Sequence, residues 1–99
     1  VTREELLEAE RQTLAAIIER KTAFQLTFGS PAGEKVLDDF DRFCRGSRSC
    51  FDPDPRVHAV LEGRREVWLR IREHLDRTPE QLFELYTGRP LSKGDTADE

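Results

Sequence analysis

Helix starts are marked where a capping residue stands directly before a proline, at Ser30 with Pro31, Asp54 with Pro55, and Thr78 with Pro79. The side-chain oxygen of such a cap accepts from an unpaired amide of the first turn, and proline at the first helical position gives up a donor that has no partner there. Proline further inside a helix would break it. The three pairs therefore set three helix starts within 99 residues. A fourth start lies at Thr2, where Glu5 has the spacing that completes a capping box.

Apolar periodicity fills the intervals between these starts. Leu7, Leu14, Ile17, Ile18, Lys21, Phe24 and Phe28 recur near helical spacing, and Gly29 stops this first helix at about Phe28. Val36, Leu37, Phe40, Phe43 and Cys44 form the stripe of a second helix, which Gly46 is expected to end. The segment GSRSCFDPDP, residues 46 to 55, holds two prolines two apart and reads as an ordered turn or extended link. A third helix carries Val57, Val60, Leu61, Arg64, Val67, Trp68, Ile71 and Leu75, with Ala59 and Gly63 as points of close approach for a neighbouring helix. Leu82, Phe83, Leu85 and Tyr86 dock a short fourth helix on the core. The expected fold is all-α: a small bundle of three main helices plus a short C-terminal helix, forming one domain over residues 1–87. A flexible acidic tail over 88–99, ending KGDTADE, has nothing to bury.

Charge narrows the function classes. Twenty acids against sixteen bases give a net charge of −4, which argues against a general grip on nucleic acid, because phosphate binding needs a basic excess on one face. Residues 56–78 nevertheless carry six arginines against four acids, so the third helix is the basic element. Its pairs Glu66–Arg70, Arg72–Asp76 and Glu73–Arg77 are spaced to form i to i+4 ion pairs on a solvated face. The longest apolar run, Leu14 to Ile18, is far short of the roughly 20 residues that span a bilayer, and no signal segment opens the chain. No membrane partner is expected, and the protein is expected to be intracellular when made.

Candidate chemistry is sparse. Asp52 and Asp54 flank Pro53 without the calcium-loop pattern, so caps and turns are their expected role. Cys44, Cys50, His58 and His74 match no zinc spacing, and His58 and His74 fall on nearly opposite helix faces, so no metal is expected. Cys44 is expected to be a buried thiol, and whether Cys50 pairs with it stays open. Phe51 either plugs the end of the bundle, the favoured expectation, or is presented to a partner. Arg64 lies in the apolar stripe and is expected to form an internal clamp with Asp39 or Asp41, with a partner carboxylate as the alternative. There is no phosphate loop, nucleophile signature or HExxH motif, so neither enzyme activity nor a cofactor is expected.

FGSPAGEKVLDDFDRFC at Phe28 to Cys44, SCFDPDP at Ser49 to Pro55, and EGRREVWLRI at Glu62 to Ile71 carry a family likeness. Over roughly residues 24–75 the chain resembles a family of short proteins of tailed bacteriophages, typified by the nineteenth gene product of a Bordetella podovirus. The resemblance implies a phage origin and a gene among head and portal genes, and supplies no catalytic residues. Its motif positions, Phe51, Asp52, Asp54, Glu62, Arg64 and Arg65, are the candidates for protein binding. The expected function is a non-catalytic adaptor or structural component of the virion or its assembly. It would be present in several copies or as a homo-oligomer and bound to a phage structural protein, with the first helix packing either within the chain or on a neighbour. The alternative is an early protein that binds and inhibits a host enzyme or defence complex, for which the negative charge would suit a basic groove.

Overall fold

A computed structural model describes residues 1–92 as four helices and no strand: α1 (Arg3–Phe28), α2 (Pro31–Cys44), α3 (Pro55–Asp76) and α4 (Pro79–Thr87). All four expected caps form. Thr2 and Thr78 make full capping boxes with Glu5 and Gln81, and the side chains of Ser30 and Asp54 accept from Gly33 and Arg56 amides. No described helix is long and apolar enough to cross a membrane.

α1 packs against each of the other three helices, and α2 packs against α3. The buried centre is Ile17 of α1 with Leu82 and Phe83 of α4, and Leu14 and Leu91 pack around it. Full burial of side chains such as Leu82 and Phe83 stabilises by about 1.5–3 kcal/mol each, which holds the short α4 in place. Leu7, Lys21, Phe24 and Phe28 also turn inward, whereas Ile18, on the same sequence stripe, stays exposed.

Where α1 meets the end of α3, Lys21 Nζ donates to the carbonyls of His74 (2.9 Å) and Leu75 (3.4 Å), placing a cation at the negative end of the helix. His74 is fully buried and stacks on Phe24 at 4.3 Å between centroids. Its Nδ1 lies 2.9 Å from the Arg70 carbonyl, which can only accept. Nδ1 therefore donates to it, and Nε2 pairs with the Tyr86 hydroxyl at 3.3 Å. One imidazole thus joins α1, α3 and α4.

Three local expectations change. Arg45, not a glycine, takes the left-handed conformation that ends α2 (φ 53°). Gly46 serves packing instead, because a Cβ there would strike the Trp68 indole and the Asp41 carboxylate. Beside Gly63 the space is open, so no neighbouring helix of the chain approaches it. The docked part of the chain also continues past residue 87. Buried Glu10 accepts from Arg89 Nη1, from the Ser92 amide (3.2 Å) and from the Ser92 hydroxyl (3.0 Å), and straps the segment after α4 to α1. The rest of the expected tail, 93–99, lies outside the described residues.

Burial pushes the Glu10 carboxyl up, but hydrogen bonds from Arg89 and Ser92 and the Arg89 charge outweigh it and hold the group below its ordinary 4.5. A depressed folded-state value means that the strap's contribution is present above the ordinary value and is lost as pH falls through the lower folded value. Acidification should therefore free residues 89–92, read as faster amide exchange or proteolysis after α4, and Arg89→Ala should do the same at neutral pH. Separately, a Cβ at Gly33 would collide with the Thr27 carbonyl and the Phe28 backbone. Gly33→Ala should cost about 1–3 kcal/mol in chemical denaturation; unchanged stability would contradict this account of the α1–α2 turn.

Candidate protein-binding surface

The join between α2 and α3 is built from short-range polar contacts that follow directly from its sequence. The Ser47 hydroxyl lies 3.0 and 2.9 Å from the two Asp41 carboxylate oxygens. Ser49 Oγ accepts from the Phe51 amide, and Asp52 Oδ1 accepts from the Asp54 amide at 2.9 Å, an Asx turn around Pro53. Asp54 then caps α3. Two side chains of α3 fasten the loop from below: Arg65 Nη1 donates to the carbonyls of Arg45 (3.0 Å) and Arg48 (2.9 Å), and His58 Nδ1 donates to that of Cys50 (2.9 Å). Cys44 and Cys50 are buried, unpaired thiols under this loop. Burial pushes the Cys44 thiol up, Arg64 partly opposes this, and Asp39, Asp41 and Cys50 add to it, so Cys44 stays protonated and unreactive.

This geometry sorts the six candidate residues into different places. Asp52 and Asp54 serve the turn and the cap. Arg65 points into the loop it holds and is not an open binding side chain. Phe51 does not plug the bundle: it is 71% exposed, with its ring 6.1 Å from that of His58. Arg64 forms no clamp with Asp39 or Asp41. It is exposed and lies over the Phe43 ring at 4.4 Å, a cation–π contact at the surface that needs no buried carboxylate. Glu62, also exposed, points about 160° away from Arg64 around α3. His58, with Phe51 beside it, is likewise turned about 160° from Val60.

The structure does assemble one flank that the sequence had assigned to the core. Val60, Arg64 and Val67 follow one another at helical spacing on the side of α3 that Ile71 and His74 continue. Toward the C-terminal end this side is covered: Ile71 and His74 are buried. Toward the N-terminal end it is open. Val60 and Val67 are more than half exposed, and Phe43 of α2, beside Arg64, is 57% exposed. The flank is therefore an apolar strip with one arginine at its centre, carried on a helix pair with a pinned loop. Of the three i to i+4 ion pairs expected on α3, Arg72–Asp76 forms at 2.7 Å; Glu66–Arg70 and Glu73–Arg77 do not come within ion-pair distance. Among the described residues no three His, Cys, Asp or Glu side chains are placed to hold a metal.

The model of a family described as Bbp19-like phage protein matches residues 24–86, from the last turn-and-a-half of α1 to the end of α4. No curated protein and no solved structure matches the chain.

Neighbouring arginines should behave oppositely. Arg65→Ala removes two hydrogen bonds to loop carbonyls and should cost about 1–2 kcal/mol, with faster amide exchange over residues 45–50. Arg64→Ala, at the surface, should stay within about 0.5–1 kcal/mol of the parent. Equal effects in a denaturation series would refute the assignment of one as pin and the other as surface contact.

Proposed function

Since the chain belongs to the family of Bbp19-like phage proteins, we propose that it is a small non-catalytic component of the phage particle or of its assembly, which binds a phage structural protein. In this reading the three main helices and the short fourth form the scaffold. The open flank of Phe43, Val60, Arg64 and Val67 is the part that meets the partner, and Phe51 is a second, separate anchor on the loop. The observation that carries the reading is the exposure of Phe43 and the two valines beside an exposed arginine that lies over the Phe43 ring. An aromatic–arginine pair is the kind of surface group on which binding energy concentrates once a partner excludes water. The protein would be made in the host cytoplasm and carried into the virion.

Quantitative mass spectrometry of purified particles, scaled to the portal protein, tests this. The expected result is a fixed copy number for the parent chain and a several-fold loss for Phe43→Ser/Arg64→Glu, with the purified variant unfolding at the parent's temperature. Absence of the parent chain from particles would overturn the reading and favour a host protein as the target.

A further inference from the structure

Two exposed helix seams in this chain have the same spacing and opposite charge. On α1, Glu5, Ala9, Gln12, Ala16 and Glu19 are separated by steps of four, three, four and three residues, and all five are exposed. On α3, Arg56, Val60, Gly63, Val67 and Arg70 follow the same steps and are likewise all exposed. Alternation of four and three keeps residues on one line along a helix, which is the geometry of a seam meeting another helix. The two carboxylates of the first seam are fourteen residues apart, as are the two guanidinium groups of the second, about 21 Å in each case.

Among the described residues nothing covers either line. Glu5 gives one carboxylate oxygen to the Thr2 amide and Arg70 lies over the Tyr86 ring at 5.5 Å, which leaves the other Glu5 oxygen and the solvent side of Arg70 available. Between the charges the seams are complementary in size. Ala9 and Ala16 are small, Val60 and Val67 are branched and more than half exposed, and the space beside Gly63 is open. The acidic seam also runs on past Glu19 to Ala23 and to Leu26, which is 77% exposed.

We infer that the chain self-associates, with α1 of one copy lying along α3 of another so that Glu5 and Glu19 meet Arg56 and Arg70. The inference deepens the protein-binding reading by naming a second copy as the occupant of the valine side of the flank, and rests on it only for the role of that surface. Equal spacing lets the carboxylates reach the guanidinium groups whichever way the helices run. Because every copy carries both seams, the contact either closes reciprocally within a pair or passes around a ring. The valines between the arginines favour a helix over nucleic acid, whose phosphates would gain nothing from them.

The test uses the full chain and two charge-reversed variants, Glu5→Arg/Glu19→Arg and Arg56→Glu/Arg70→Glu, each examined alone and in equal mixture by sedimentation and light scattering. The parent chain should associate as its concentration rises toward about 1 mM, where even a weak contact is populated. Each variant alone sets like charges against each other and should associate about tenfold more weakly or worse. The mixture opposes unlike charges again and should recover association, a rescue that an unfolded variant could not give. A parent chain that stays monomeric overturns the inference, as do variants that associate like the parent, or a monomer that binds duplex DNA through Arg56 and Arg70. Association of the parent chain together with its absence from particles would leave the inference standing and remove the assembly reading; a monomeric chain found in particles would do the reverse.

Discussion

Lys21 and His74 form the joint on which the arrangement of the helices depends. The lysine ammonium sits on the last carbonyls of α3, and the imidazole is stacked on Phe24 while bonded to α3's own backbone and to Tyr86. A charged donor at a helix C-terminus and a fully buried, doubly bonded ring both lose much if the elements separate, since each would leave a polar group without its partner. The joint therefore fixes where α3 begins to leave α1. Lys21 follows Ile17 by one turn of α1, and Tyr86 follows Leu82 and Phe83 by about one turn of α4, so polar and apolar contacts secure neighbouring turns of the same helices.

From that joint α3 extends through five turns toward Pro55 with α2 beside it, and α2 alone does not enclose it. Leu61 and the two cysteines are buried between the helices and their loop, while Val60, Val67 and Phe43 on the other flank are left in water. What keeps this partly covered helix pair in shape is the loop, closed by Arg65 and His58 from α3 and by Ser47 on Asp41. The polar residues of the FDPDP corner thus maintain the geometry of an apolar flank that they do not themselves belong to.

The helix starts were legible because caps and prolines act within four residues, and the structure reproduces each of them. Periodicity also named the apolar side of each helix. It could not say which residues of that side a neighbour reaches, and so Val60, Val67 and Phe43 read as core although they stay exposed while Leu61 and Ile71 are buried. Arg64 was read as needing a carboxylate for the same reason: the clamp presupposed burial. Gly46 was read by its backbone freedom when its missing side chain is what matters, beside Trp68. The strap between Glu10 and Ser92 joins residues at opposite ends of the chain, and no local pattern announces such a contact. Of the candidate site, the corner's caps and turns were legible; the uncovered flank was visible only once α1 and α4 were in place.

The central claim is that the flank around Phe43 and Arg64 is open in the free chain and closed in its working state. Hydroxyl-radical footprinting of Phe43, compared between the purified chain and intact particles, tests this most directly. The account predicts rapid oxidation in the free chain and strong protection in the particle. Equal reactivity in both, or a Phe43 already protected in the free chain, would contradict it.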